Sequence, residues 1–416
     1  MLIQSATTFC AAENCQNEPF MTDITPNSNG EILIPDGFLE RRRLDPQTQF
    51  WLDEREGDLI LYPRVPDARK LYIEATTACN LTCQTCIRNS WADPNAHMDD
   101  ATFQRILESI KKLPQLERVI FTSFGEPMVN PKLFSMIEAV RKLGLEVTLG
   151  TNGVLLTEKV TRTLIRLGVD QLVVSIDGGK PATYEGIRGT QLSIIIKNLE
   201  TFNQVKNELG VVKPTLAVEF VAMRSNLDEL KEVLNLASEL NASRLIVSNV
   251  LPYTEEMNEE KLYGYGPQEP LYIGSWPVKS TDTWVRWGVI ETPRMFWGAE
   301  RRCRFVQDKS LVVRWDGNVS PCYAYSHSYQ YYTIDGVLKN VEQYTLGNVN
   351  EQLLDEIWMS EEYTRFRSNV RAFHFPSCPD CDLRETCDLR QDNQGCWGPN
   401  PSCADCLWAQ DIVRCP

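Results

Sequence analysis

The sequence predicts an α/β protein: an open, partial (β/α)6 barrel with a small β-rich module before it and a cysteine-rich region after it. Three observations carry that reading. From Leu71 to Val250, strand-like runs alternate regularly with amphipathic helical ones, a pattern that implies parallel strands joined by right-handed crossovers. Cys79-Asn80-Leu81-Thr82-Cys83-Gln84-Thr85-Cys86 places three thiols in eight residues directly after the first strand-like run. Nine of the fourteen cysteines lie beyond residue 300.

At 416 residues the chain exceeds the usual size of one core. It divides into a polar leader (1–29), a β-rich module (30–66), the barrel (67–255), a linker or insertion (256–300) and the cysteine-rich region (301–416). A formal charge of −14 and a pI near 4.9 disfavour nucleic acid or an anionic membrane as the main partner. Met1 to Phe20 has neither a basic segment nor a sustained apolar run, and no later segment has the roughly 18 apolar residues that span a bilayer. The expected location is cytoplasmic. Reducing conditions there favour metal ligation over disulfides for fourteen cysteines. Cys10 and Cys15, in the leader, have no local context for ligation.

In the module, Gly30–Pro35, Phe50–Leu52 and Gly57–Pro63 are short strand-like runs split by turn residues, with a brief helix around Phe38–Arg43. Barrel strands are expected at 71–77, 117–123, 146–151, 170–176, 215–223 and 243–250. Phe103, Ile106, Leu107 and Ile110 form one helical face after Asp99-Asp100. Asn130-Pro131 opens a helix that Gly144 closes, and Thr157 and Gly168 bracket another. Asn226-Leu227-Asp228-Glu229 reads as a capping box ahead of Leu230, Val233, Leu234 and Ala237. Sites in such sheets lie at the carboxyl ends of the strands, so the cysteine triplet falls at the barrel mouth.

A [4Fe–4S] cube normally takes four thiolates, so three leave one iron open to chelate a small molecule through an amine and a carboxylate. Zinc sites usually pair C-x2-C knuckles, and x3-then-x2 spacing is different. The C-x3-C-x2-C triplet Cys79, Cys83 and Cys86 resembles the signature of the radical S-adenosylmethionine (SAM) superfamily. The resemblance implies that the open iron binds the methionine end of SAM, which is cleaved reductively to a 5′-deoxyadenosyl radical. It also implies that Gly125 and Glu126, in a Phe124-Gly125-Glu126-Pro127 turn, hold the SAM ammonium. Ser175 and Asp177 would reach its ribose or carboxylate, and Arg188 would pair with the carboxylate. Gly150-Thr151-Asn152-Gly153 resembles a structural turn of the same family. Residues 217–226 and 249–252 occupy places where relatives pack the adenine. The sequence departs from the family at Phe124, where a glycine is usual, and at Thr85, where many relatives carry an aromatic residue.

Cys303, Gly317 and Cys322, followed by Cys378-x2-Cys381-x5-Cys387, resemble the SPASM extension of radical SAM maturases. This implies two auxiliary [4Fe–4S] clusters, completed by Cys396, Cys403, Cys406 and Cys415. The family's next cysteine is replaced by Gln391, and nine tail thiols exceed by one the eight that two fully ligated cubes need. A zinc ribbon remains open, since 378/381 and 403/406 are both C-x2-C pairs. Residues 30–66 resemble the swapped-hairpin module of AbrB/SpoVT regulators, which dimerises and binds DNA; Arg41-Arg42-Arg43 is too small a basic cluster for DNA, so a capping or partner-docking module, or a homodimer contact, is expected here. Together with Cys86-Ile87-Arg88-Asn89-Ser90-Trp91 and the 396–408 tail, the chain most resembles maturases of tungsten-cofactor oxidoreductases. That implies a client protein or its cofactor, and a low-potential donor such as ferredoxin or flavodoxin. Other readings are a peptide-modifying enzyme, forming thioether or carbon–carbon crosslinks or oxidising Ser or Cys, and a non-enzymatic Fe–S or zinc scaffold.

Overall fold

The computed structural model describes residues 25–31, 33–34, 37–55, 57–264, 288–296, 298–393, 395–396 and 398–414. Cys10, Cys15, Ile32 and Cys415 lie outside them. The chain forms two units, residues 1–65 and 66–416.

In the first unit, β1 (Phe50–Arg55) and β2 (Asp58–Pro63) pair antiparallel. Gly57 sits in the intervening turn at φ +94°, a backbone region that favours glycine. The short helix is α1 (Phe38–Arg41). The strand expected at Gly30–Pro35 is not formed at its described residues Gly30, Glu31, Leu33 and Ile34; Gly30 N and Glu31 N instead donate into a turn, to Asn27 O and Asn27 Oδ1.

The second unit is organised by a nine-stranded sheet in the order β11-β10-β3-β4-β5-β6-β7-β8-β9. The predicted barrel strands are β3 (Lys70–Ile73), β4 (Arg118–Phe121), β5 (Glu146–Thr151), β6 (Gln171–Ser175), β7 (Thr215–Ala222) and β8 (Ala242–Asn249), all parallel. β3 and β4 are shorter than expected because the chain leaves the sheet at Glu74 and Thr122 to build the mouth. Two edges extend the predicted six strands. On one side β9 (Val289–Glu291), within the expected linker, pairs parallel with β8. On the other, β10 (Ser310–Val313), from the cysteine-rich region, pairs parallel with β3 and antiparallel with β11 (Val319–Ser320). A separate hairpin, β12 (Tyr329–Tyr332) and β13 (Leu338–Val341), follows.

The helices cover the outside of the sheet. α2 (Asp100–Ile110) is capped by Asp99, whose side chain accepts from Thr102 N, and buries Phe103, Ile106 and Ile110, with Leu107 packed at the margin. α3 (Leu133–Lys142) begins two residues after Pro131; Asn130 accepts from Lys132 N but also donates to Ala75 O, so it ties the helix start to the mouth. Thr157 and Gly168 bracket α4 (Glu158–Leu167) as expected. α5 (Pro181–Arg188) and α6 (Leu192–Leu209) follow β6. The expected capping box before α7 (Leu230–Glu239) is absent: Asn226 makes no side-chain cap, donating instead to Asp177 O and Val221 O, and Glu229 accepts from Gly179 N, Lys180 N and Thr183. Those orphan groups in the loop after β6 compete successfully for both side chains.

Candidate active site

The loop after β3 carries Cys79, Cys83 and Cys86 into a cavity of about 230 Å³, which Gly125, Glu126, Ser175 and Arg188 also line. The turn after β4 is built against the loop before the triplet. Glu126 N donates to Ala78 O at 2.9 Å, and a Cβ on Gly125 would stand 2.2 Å from Thr76 O. Only glycine allows that approach. Burial pushes the Cys86 thiol up to about 11 and raises Cys79 as well, so three thiolates gathered at this mouth need a compensating cation. An iron–sulfur cluster fits that donor set.

The Glu126 carboxylate is buried and accepts from Asn152 N at 2.7 Å, Thr151 Oγ1 at 2.9 Å and Met128 N at 3.2 Å. Burial outweighs those bonds and pushes its pKa up to about 7; a neighbouring ammonium would relieve the same penalty. The Gly150–Gly153 turn therefore does more than shape the backbone: it orients Glu126, and Asn152 also reaches Asn80 at 2.8 Å. Arg188 lines the cavity with its Nε 2.6 Å from Asp177 and its Nη1 3.8 Å from the Cys83 sulfur. Asp177 does not line the cavity. Its carboxylate accepts from Val221 N at 2.9 Å and pairs with Arg188, so it holds the guanidinium from outside the cavity lining.

Several cavity residues were not anticipated. Glu219 on β7, inside the expected segment 217–226 but not singled out there, faces Ser175 across the sheet, and burial pushes its pKa up to about 7. An acid inside the apolar run Leu216-Ala217-Val218-Glu219-Phe220 was the available signal. Trp408, Val413 and Arg414 come from the far end of the chain, held by Arg414 N on Ser248 Oγ and by Asn249 on Ile412 O. Tyr323 lines the same cavity, and its hydroxyl donates to Thr122 O at 2.6 Å. Phe124, the departure from the family turn, packs edge-on against Trp91, Tyr323 and His327. The extra ring thus fills a contact between the mouth and the cysteine-rich region. Thr85 lines the cavity, and so do Asn249 and Leu251 of the anticipated 249–252 segment.

His327 sits beneath these rings. Its Nε2 lies 2.9 Å from Glu74 and its Nδ1 bonds Asp93, which Arg314 also approaches at 3.3 Å. Burial opposes a charge on this imidazole, but Glu74 and the bonds to both carboxylates outweigh it and raise its pKa.

The tail thiols fall into groups. The Cys322 thiol is raised well above its ordinary value by burial and then by Cys303, Cys406 and Cys403, and Cys403 likewise by burial, Cys406 and Cys303. Backbone contacts fix this grouping: Arg302 N donates to Ala409 O, and the Tyr325 hydroxyl to Ser402 O at 2.5 Å. Cys378 is pushed up to about 12 by burial and Asp405, with Cys396 also raising it. Cys381 and Cys387 follow on the short turns Cys378–Asp380 and Arg384–Thr386, which pack together. Among the described residues no three His, Cys, Asp or Glu side chains gather tightly enough to hold a single metal ion, whereas a four-iron cube spreads its thiolates over separate irons.

The radical SAM superfamily matches residues 73–237, and the SPASM iron–sulfur cluster-binding domain matches residues 303–382. This chain belongs to the radical SAM enzymes that carry a SPASM domain. It is 36% identical to the tungsten-containing aldehyde ferredoxin oxidoreductase cofactor-modifying protein of Pyrococcus furiosus, over 83% of this chain and 96% of that one, and belongs to its family. A PqqA peptide cyclase of Xanthomonas campestris is 26% identical over 77% of this chain and 81% of its own. Among solved structures, anSMEcpe with bound AdoMet has a TM-score of 0.55 at 17% identity, covering 83% of this chain and 93% of that one. SuiB of Streptococcus suis bound to S-adenosylmethionine has a TM-score of 0.55 at 18% identity, covering 79% and 73%. The cofactors are a SAM-binding [4Fe–4S] cluster with SAM, and auxiliary iron–sulfur clusters in the SPASM domain. No described helix is long and apolar enough to cross a membrane.

Proposed function

We propose that this enzyme matures a tungsten-containing oxidoreductase, acting on that protein or on its cofactor. The observation that carries the reading is its 36% identity along 96% of a relative named for modifying such a cofactor. When bound, the triplet cluster supplies the electron that cleaves SAM to methionine and a 5′-deoxyadenosyl radical, which takes a hydrogen atom from the client.

The chain's own residues position the reactants. Cys79, Cys83 and Cys86 hold three irons. Glu126, oriented by Thr151 and Asn152, accepts the SAM ammonium. Arg188, steered by Asp177, meets the SAM carboxylate, and Ser175 adds a hydroxyl. Trp408 and Leu251 wall the cavity against water. In the tail, Cys303, Cys322, Cys403 and Cys406 would hold one auxiliary cluster and Cys378, Cys381, Cys387 and Cys396 the other. Residues 30–66 dock the client or a second copy: Leu52 and Leu61 are cross-strand partners, yet 63% and 43% exposed. A ferredoxin or flavodoxin class of donor supplies the electron.

Anaerobic protein given dithionite and SAM is expected to release 5′-deoxyadenosine, and the triple change of Cys79, Cys83 and Cys86 to Ala to abolish it. Adding the unmatured tungsten oxidoreductase is expected to stimulate release and to change the mass of that protein or its cofactor. Stimulation by a peptide substrate alone would transfer the reading to peptide modification, for which the similarity to PqqA cyclase is weaker.

A further inference from the structure

Lys339 occupies an inward position on β13. Side chains alternate along a strand, and here Leu338 and Asn340 face outward while Lys339 and Val341 face inward. The Lys339 side chain is 5% exposed, and its ammonium donates to Asp405 Oδ1 at 2.5 Å. Asp405 is itself buried, with Oδ2 left without a hydrogen-bond partner, and it stands between Cys403 and Cys406 in sequence. Replacing a buried ion pair by apolar residues is often neutral or stabilising, so core stability alone gives little reason for a lysine here.

The surroundings supply a reason. Lys339, Asp405 and Cys406 line one small cavity of about 10 Å³. The same strand reaches the other thiol group: Asn340 donates to Gln391 O, in the turn Asp388–Gln391 that follows Cys387. Arg301 ties the groups from the opposite side, donating to Pro376 O at 3.0 Å and Ala404 O at 2.5 Å. The ammonium therefore lies between the two sets of tail cysteines, and its charge is felt at Cys403, Cys406 and Cys378.

We infer that the buried Lys339–Asp405 pair sets the reduction potentials of both auxiliary clusters, with Lys339 raising them and Asp405 lowering them. Reduction adds one electron to an already anionic, thiolate-ligated cube. In a water-poor interior a nearby cation stabilises the more negative state more strongly, which raises the potential, and a nearby carboxylate does the reverse. This rests on the assignment of the tail thiols to two clusters.

The test is an EPR-monitored redox titration of the reconstituted full chain. Lys339→Met is expected to shift both auxiliary midpoint potentials downward, and Asp405→Asn to shift them upward, with iron content unchanged and the triplet-cluster potential unmoved. Lys339→Arg, which keeps the charge, should restore potentials close to those of the parent. Full iron content with unmoved auxiliary potentials in Lys339→Met overturns the inference. If Lys339→Met fails to assemble clusters, an unmoved or lowered potential in Asp405→Asn overturns it. A parent protein without auxiliary cluster signals would instead sink the two-cluster assignment.

Discussion

At the scale of single residues the decisive group is Glu126. Its carboxyl group, raised by burial to about 7, is protonated over part of the neutral range, and an acid raised in the folded state costs stability as pH climbs from its unfolded value toward the folded one. An ammonium reverses that cost only after the proton has left. SAM affinity is therefore expected to weaken as pH falls below about 7, by up to roughly tenfold per pH unit, and calorimetry in buffers of different ionisation enthalpy should detect proton release. Glu126→Gln should flatten this dependence and weaken binding by about 1.5–3 kcal/mol, the worth of a charged hydrogen bond; a mutant with the same pH profile as the parent would remove Glu126 from the ammonium site. That Cys79, Cys83, Cys86, Glu126 and Arg188 share one cavity was legible in the sequence, because short spacings and turns place them. Within the expected segment 217–226 the sequence did not single out Glu219, nor did it show that Asp177 stays out of the cavity lining, since which wall of β7 or of the loop after β6 faces the cavity depends on strand register across the sheet.

Elements carry their own expectations. The turn Phe124–Pro127 leaves no room at Gly125, where a Cβ meets backbone oxygen at 2.2 Å. Gly125→Ala is expected to push the turn off the triplet loop, lowering SAM binding and triplet-cluster retention together, as read by iron content and SAM titration; retention of both would show that the loop yields. In the tail, reconstituted protein is expected to hold about twelve irons, and Cys403→Ala to lose about four. Four irons with stoichiometric zinc would restore the ribbon reading. The helices α2 and α4 were legible from caps and periodicity, because those signals are local. The capping box before α7 misled because a distant loop took Asn226 and Glu229, and β9 was invisible because three residues are too few to show a period.

Across the whole second unit, His327 joins the barrel to the cysteine-rich region. It bonds Glu74, just beyond β3, and Asp93, beyond the triplet, and is itself five residues past Cys322. A histidine raised in the folded state contributes stability that is complete below its unfolded value and is lost as pH rises through the folded one. His327→Gln leaves the buried Glu74 carboxylate without its cation while Asp93 keeps Arg314, a loss of about 3 kcal/mol. Denaturation of the full chain across pH should show the gap between parent and variant widest in mild acid and narrowing on the alkaline side; a pH-independent gap would assign His327 to packing alone. No local pattern announces such a link between positions 74, 93, 314 and 327, whereas the βα alternation that builds the barrel repeats along the chain and can be read from it.

The parallel pairing of β10 with β3 also bears on how the chain is made. Residue 310 leaves the ribosome 240 residues after residue 70, roughly 10–50 s later at ordinary synthesis rates. Through that interval the first barrel strand has β4 on one side and an open edge, bearing Leu71 and Ile73, on the other, the kind of edge that recruits stray strands. The nascent barrel is thus most vulnerable to aggregation before its cysteine-rich region emerges, and slowing synthesis between residues 122 and 310 should increase its dependence on chaperones that shield unpaired strands.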